Sequence, residues 1–97
     1  MKYRILLAPQ ALKDLQKLRA YDRAAVRSAI AKHLTNEPKH ARASRIKRLR
    51  GLAKPEYRMR VGDIRVFYDV VGGEVHILTI VRKLDVERWL SEEGERS

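Results

Sequence analysis

The stretch YRMRVGDIRVFYDVVGGEVHILTIVR, residues 57–82, decides the fold of this chain. Apolar and polar residues alternate through it with a period of two, and Gly62-Asp63 and Gly72-Gly73 interrupt the alternation. Two-residue loops of this kind join antiparallel β-strands. The stretch therefore predicts a three-stranded antiparallel meander.

The register of this meander predicts which side chains share a face. With both turns taken as two-residue loops, Arg60 faces Arg65, and Arg82 lies opposite Asp63, one diagonal step from Arg65. Residues two apart in a strand point to the same side. The arginines expected on one face are Arg58, Arg60, Arg65 and Arg82, with Phe67, Leu78 and Ile80 beside them. The apolar face is expected to hold Tyr57, Met59, Val61, Ile64, Val66, Tyr68, Val70, Val75, Ile77 and Val81.

Two helices and a first strand are expected before the meander. Residues 2–8 suit a strand, and Pro9 suits the first position of a helix, where its missing N–H costs nothing. The leucines of this first helix recur at helical spacing at Leu12, Leu15 and Leu18. Asp22 is a suitable N-cap for a second helix, which Asn36-Glu37-Pro38 ends. A connection of about two residues predicts an antiparallel helical hairpin.

The sequence after the meander predicts a short C-terminal helix containing Val86, Trp89 and Leu90, and a charged, frayed tail over about residues 91–97. Trp89 is expected in the core. The fold class is therefore α+β: an N-terminal strand, an antiparallel helical hairpin, a three-stranded antiparallel meander packed on the helices, and a short C-terminal helix. Residues 1–97 are expected to form a single domain.

Composition narrows the possible functions. The 97 residues contain 22 Lys and Arg against 12 Asp and Glu, a formal net charge of +10, and no cysteine. The absence of cysteine excludes disulfides, thiolate catalysis and cysteine-type zinc sites. No apolar run reaches the roughly 18 residues that span a bilayer. We expect a cytoplasmic protein that binds a polyanion and not a membrane.

The positive charge is concentrated in residues 39–65, which hold ten Lys or Arg and two acids. The segment before the meander has the highest density of basic residues. It suits phosphate contact, although a solvated basic loop would have the same composition. The candidate RNA- or ribosome-binding residues are Lys39, Arg42, Arg45, Lys47, Arg48 and Arg50.

The order of elements and several short motifs resemble the RelE/ParE toxin superfamily, nearer its RelE branch. The resemblance covers residues 3–90 and depends mainly on a tyrosine-basic-x-Arg-x-Gly-Asp-x-Arg-x-x-Tyr segment. The matching segments are Leu49-Arg50-Gly51, Tyr57-Arg58-Met59-Arg60, Gly62-Asp63-Ile64-Arg65 and Asp85-Val86.

This resemblance implies a ribosome-dependent endoribonuclease that cleaves mRNA in the decoding site and inhibits translation. The 2′-hydroxyl would attack the adjacent phosphate, giving a 2′,3′-cyclic phosphate and a 5′-hydroxyl, without a metal or other cofactor. The implied partners are the ribosome, mRNA and a cognate, acidic, RelB-like antitoxin that neutralises the toxin. Operator DNA would be contacted only through the antitoxin.

The resemblance also assigns catalytic roles to particular residues. Arg58 and Arg60 match family positions credited with proton abstraction and phosphate stabilisation, and Arg65 matches the arginine that holds the scissile phosphate. Arg82 and Lys83 match a basic pair that ends the last strand. Glu87 stands where the family has a catalytic tyrosine, so Glu87 is the candidate base and Lys83 a candidate acid or base.

Two other functions fit the same residues. A ParE-like toxin uses this fold to inhibit DNA gyrase and has no ribonuclease site, and a nucleic-acid-binding module would have the basic surface without catalysis. The short hairpin and the arginine face favour the nuclease. The three scattered histidines, His33, His40 and His76, do not predict a metal site.

Overall fold

The computed structural model describes residues 2–40 and 45–96, the last two by backbone alone. A π-helical turn (Ile30–Leu34) extends the second helix, and a 3₁₀ turn (Lys83–Asp85) precedes the third. In chain order the elements are β1 (Arg4–Leu7), α1 (Pro9–Lys17), α2 (Ala20–Ala29), β2 (Ile46–Arg48), β3 (Leu52–Lys54), β4 (Tyr57–Val61), β5 (Ile64–Val71), β6 (Glu74–Arg82), α3 (Val86–Glu93) and β7 (Glu95–Arg96).

The predicted α+β fold and its meander are confirmed. Strands β4, β5 and β6 are antiparallel neighbours in a five-stranded sheet of order β1-β6-β5-β4-β2. Strand β1 pairs with β6 in parallel, and β2 pairs with β4 in the segment that was expected to be a connector. Two residues separate α1 from α2, as predicted.

Both predicted turns are present. Val61 pairs with Ile64 and Val71 with Glu74, so each loop has two residues. Gly62 and Gly72 have positive φ angles of 58° and 59°, which other residues adopt only with strain. These two positions therefore fix where the hairpins turn.

The helices cover one face of the sheet and form the core with it. Helix α1 lies over β6 and α2 over β4. Leu15 is buried as predicted, whereas Leu12 is 44% exposed and Ala11 takes the buried position. The other core residues include Val26, Ile30, Leu34, Met59, Val66, Tyr68 and Ile77.

Helix α2 begins earlier than the sequence indicated. Its N-cap is Arg19, and Asp22 lies in the first turn without capping the helix. Arg23 donates hydrogen bonds to the carbonyl oxygens of Leu15 and Leu18 at 3.3 and 2.7 Å, which joins the end of α1 to α2. The prediction of Asp22 as the cap was wrong, and its carboxylate is available for another contact.

An irregularity between β5 and β6 overturns part of the predicted register. Tyr68 pairs with Ile77 but Phe67 pairs with Thr79, so Leu78 is an extra residue in β6. A bulge of this kind reverses the alternation beyond it. Ile80 is consequently in the core at 3% exposure, and Val81, predicted in the core, faces the other side opposite Arg65.

Regular secondary structure continues further along the chain than the sequence indicated. Helix α3 continues to Glu93, and β7 pairs antiparallel with β3. These elements lie within the segment expected to form a charged tail, and the fraying expected of that tail stays a prediction. Within residues 2–40 and 45–96, no helix is long and apolar enough to cross a membrane.

Candidate functional site

Cross-strand pairs bring basic side chains together on the side of the sheet away from α1 and α2. Arg60 pairs with Arg65, and Arg58 pairs with Phe67 on one side and Lys47 on the other. Directly opposed residues in a sheet share a face. We call Lys47, Arg58, Arg60 and Arg65 the cationic face.

The cationic face is not neutralised within the described part of the chain. No carboxylate of residues 2–40 and 45–94 forms an ion pair with its four basic side chains. Opposed like charges destabilise a sheet, so a bound anion would relieve the repulsion. Guanidinium groups suit phosphate because they can donate two parallel hydrogen bonds.

The guanidinium of Arg58 is partly buried and lies among other positive charges. Its Nε is buried and has no hydrogen-bond partner among the described residues. Burial lowers the pKa of its guanidinium, and the neighbouring charges of Arg65 and Arg60 lower that pKa further. An unsatisfied buried donor is costly, and an anionic oxygen would satisfy it.

Arg65 is held in place by the β4–β5 turn. Its side chain is mostly buried, and Nη1 donates to the carbonyl oxygens of Gly62 at 2.9 Å and Ile64 at 3.2 Å. These bonds orient the guanidinium without neutralising its charge. The resemblance described above implies that Arg65 holds the scissile phosphate, and this fixed orientation of the guanidinium is compatible with that role.

Arg82 does not join the cationic face, which corrects the sequence prediction. It pairs with Ile64 on the core side of the sheet, because the bulge at Leu78 reverses its direction. Its guanidinium donates to Asp22 of α2 at 3.2 Å and to Asp63 of the turn at 3.3 Å. These two hydrogen bonds raise the pKa of Arg82. Asp63 was already expected opposite Arg82, whereas Asp22 is a partner that sequence reasoning missed, because a bulge leaves no clear signal in the residue pattern.

Helix α3 crosses the cationic side of the sheet. The Trp89 ring stacks on the buried Phe67 ring with centroids 5.1 Å apart and planes 18° apart. Trp89 is thus half-buried against the cationic side of the sheet, and the expectation that it lies in the core was wrong. Because Phe67 is the cross-strand partner of Arg58, α3 lies next to the arginines.

Glu87 and Arg50 line the same groove, of about 380 Å³, between α3 and the chain around β3. Leu52 and Leu90 form apolar parts of its wall. Both charged side chains are exposed, and neither has a hydrogen bond or ion pair with a described side chain. Glu87, the candidate base, therefore shares this groove with Arg50, a residue predicted to contact RNA.

The remaining basic residues before the meander do not act as one patch. Lys47 is on the cationic face, but Arg48 points to the other side, 5.4 Å from the centre of the Tyr57 ring. Arg45 lines a separate cavity with Lys32 and His33. The prediction of a single basic connector is therefore corrected: the alternation of β2 divides Lys47 from Arg48, and Arg45, which precedes β2, lines a different cavity.

The remaining candidate site residues are Lys39, Lys83 and Arg42, of which Lys39 and Lys83 lie outside the strands of the sheet. Lys39 is exposed beyond the π-helical turn, and Lys83 is exposed in the 3₁₀ turn, where its backbone N–H donates to the Asp63 carbonyl at 2.9 Å. Arg42 lies outside the described residues. The roles expected for these three residues stay predictions.

Other proton-transfer and metal-binding groups are absent from the cationic face as described. Tyr57 and Tyr68 stack in the core with centroids 5.4 Å apart, and burial raises the pKa of Tyr68. Among residues 2–40 and 45–96, no group of three or more His, Cys, Asp or Glu side chains is placed to hold a metal ion. Arginine and lysine donors dominate the face.

A family model described as "ParE toxin of type II toxin-antitoxin system, parDE" matches residues 5–85. The chain belongs to this toxin family. It is accordingly a toxin of a type II toxin–antitoxin system, with the RelE/ParE fold. A search of curated proteins gives no match.

Solved structures of the same superfamily share the architecture. A RelE–RelB complex from Pyrococcus horikoshii is 28% identical, with a TM-score of 0.69, covering 86% of this chain and 97% of the other. A RelBE toxin–antitoxin complex from Mycobacterium tuberculosis is 27% identical, with a TM-score of 0.65 and coverages of 86% and 100%. A mutant Escherichia coli RelE toxin in the free state, 22% identical with a TM-score of 0.70 and coverages of 95% and 94%, shares the fold.

Proposed function

We propose that this toxin is a ribosome-dependent endoribonuclease that cleaves mRNA by attack of a 2′-hydroxyl on the adjacent phosphate. The observation that carries the proposal is the cationic face, where Arg58, Arg60 and Arg65 lie together without a described counter-charge. A phosphate there would accept hydrogen bonds from fixed guanidinium groups. Such preoriented donors stabilise the extra charge of a pentacoordinate transition state.

Glu87 is the proposed base for the 2′-hydroxyl. Its carboxylate is exposed in the groove with Arg50 and has no described partner. An ionised carboxylate can accept a proton, whereas the guanidinium group of Arg50 in the same groove cannot. The ribosome would supply the in-line geometry by holding mRNA extended in the decoding site.

The proposed antitoxin is an acidic, RelB-like protein that covers the cationic face. The neighbours from Pyrococcus horikoshii and Mycobacterium tuberculosis are complexes of toxin with antitoxin. An acidic segment would offset the repulsion among the four basic side chains and would exclude mRNA from them. Charge complementarity would also accelerate the association.

The test is to map mRNA 5′ ends after incubation of the toxin with translating ribosomes. Cleavage within codons at the decoding site is expected, and Arg65→Ala should slow it by about 100-fold or more, the loss typical of one preoriented donor. Lys17→Ala, on the exposed side of α1, is the control that removes one charge elsewhere. Arg65→Ala with the wild-type cleavage rate would contradict the site.

Inhibition of DNA gyrase is the second candidate. The withdrawal of Arg82 to the core side of the sheet favours it, because this removes one basic residue from the expected nuclease site. A supercoiling assay on the same protein preparation separates the two functions. Inhibition of supercoiling without cleavage on ribosomes would replace our proposal, and RNA binding without either activity would indicate a non-catalytic module.

A further inference from the structure

The proposed cleavage requires a proton donor for the departing 5′-oxygen. Arginine does not release its proton near neutral pH. Tyr57 and Tyr68 are buried on the other side of the sheet, and Arg82 is hydrogen-bonded to Asp22 there. Among the residues that the structure describes, lysine is therefore the candidate side chain for donating a proton at the arginines.

Lys47 is the lysine that the sheet places beside Arg58. Ile46, before it in β2, is buried in the core at 2% exposure, and Arg48, after it, lies over Tyr57 on the core side. The alternation of the strand therefore directs Lys47 to the cationic face, directly opposite Arg58. Its side chain is exposed and has no ion pair with a described residue.

The other lysine of interest is less well placed. Lys83 follows β6, and β5 separates β6 from β4, the strand that carries Arg58. Lys47 belongs to the strand next to β4. Directly opposed side chains in neighbouring strands have Cβ atoms about 4.5–5.5 Å apart, so one phosphate can contact both Lys47 and Arg58.

We propose that Lys47 is a catalytic residue that protonates the leaving 5′-oxygen, an inference that rests on the proposed RNA cleavage. The 2′-hydroxyl gives its proton to Glu87, and its oxygen forms a bond to phosphorus. The bond from phosphorus to the 5′-oxygen breaks with its electron pair, and that oxygen takes a proton from the Lys47 ammonium group. Glu87 then returns its proton to solvent, and the neutral Lys47 amine regains one from solvent.

The experiment uses ribosomes programmed with two versions of one mRNA. The first is ordinary RNA, and the second carries a single bridging sulfur in place of the 5′-oxygen at the mapped cleavage site. A thiolate leaves without a proton, so the second substrate does not need an acid. Wild type, Lys47→Ala, Lys47→Arg and the control Lys17→Ala are compared, with circular dichroism spectra confirming that each variant is folded.

Lys47→Ala is expected to slow cleavage of ordinary RNA by about 100-fold, the usual contribution of a general acid, and to cleave the sulfur substrate at nearly the wild-type rate. Lys47→Arg keeps the charge but should remain slow on ordinary RNA, because a guanidinium group does not release its proton. Equal slowing on both substrates would mean that Lys47 only binds RNA and would overturn the proposal. So would wild-type rates for both variants.

The experiment distinguishes failure of the proposed nuclease function from failure of the proposed role of Lys47. If the wild-type toxin cleaves neither substrate on ribosomes, the proposed function is wrong and the role of Lys47 is wrong with it. If the wild type cleaves and Lys47→Ala is unimpaired on ordinary RNA, the nuclease function is retained and only the identity of the acid is overturned.

Discussion

Arg82 lies between two carboxylates, Asp22 on α2 and Asp63 on the β4–β5 turn. These contacts connect the helical layer to the hairpin that carries Arg60 and Arg65. Lys83, the next residue, adds a backbone hydrogen bond to Asp63. Arg82 thus contributes to positioning the hairpin from behind the sheet, while Arg65 presents its charge on the cationic face.

Arg82→Ala should therefore affect mainly the stability of the fold, whereas Arg65→Ala should affect mainly mRNA cleavage. We expect Arg82→Ala to lower Tm, because the link between α2 and the turn is lost, and to slow mRNA cleavage less than Arg65→Ala does. Thermal unfolding followed by circular dichroism, together with cleavage assays on ribosomes, measures both effects. Asp22→Asn should reproduce the lower Tm. A larger loss of cleavage for Arg82→Ala than for Arg65→Ala would show that Arg82 acts on the cationic face after all.

Strand β6 continues past the end of its neighbour β1, and α1 completes its edge. The last parallel pair is Leu7 with Ile77. Beyond it, the carboxylate of Asp14 accepts hydrogen bonds from the Thr79 hydroxyl at 2.6 Å and the Ile80 backbone N–H at 3.0 Å. The bulge at Leu78 and this contact occur together. Helix α1 thus supplies a hydrogen-bond acceptor to β6 at the point where pairing with β1 ends.

Asp14→Ala should destabilise the fold by about 1–3 kcal/mol, the cost of leaving buried donors without an acceptor. Thr79 and Ile80 are 1% and 3% exposed, so both donors are buried when the carboxylate is removed. Urea denaturation measures the free energy of unfolding. Asp14→Asn, which keeps one acceptor oxygen, should lose less. Gln10→Ala, which removes only the exposed hydrogen bond to Asp14, is the control, and an equal loss for it would refute the explanation.

The elements differ in how far the sequence could predict them. The Gly62-Asp63 and Gly72-Gly73 turns were predictable because few residues adopt their backbone angles. The short strands β2 and β7 were not, since each is two or three residues long and gains its hydrogen bonds from a partner distant in sequence. The bulge at Leu78 was not predictable either, because an apolar run fits both registers.

At the scale of the whole molecule, the net charge predicted a polyanion as partner but not the geometry of the site. Alternation alone placed Arg58, Arg60 and Arg65 together, and the structure confirms their common face. Lys47 and the groove that contains Arg50 and Glu87 depend on tertiary pairing, which one sequence does not reveal. Positive charge elsewhere on the surface contributes to long-range attraction without forming a site.

Salt dependence distinguishes the cationic face from this general charge. Neutralising four phosphates on single-stranded RNA releases counterions, so log K should fall with log salt with a slope of about −3. Binding is measured by fluorescence anisotropy between about 50 and 200 mM salt, with RNA carrying 2′-O-methyl groups so that no attack can occur. Arg60→Ala should make the slope smaller in magnitude by about 0.7 to 1. Lys17→Ala, with the same loss of net charge, should leave the slope unchanged if phosphates contact the cationic face. Equal changes for both variants would instead mean that RNA binds to the overall charge of the protein.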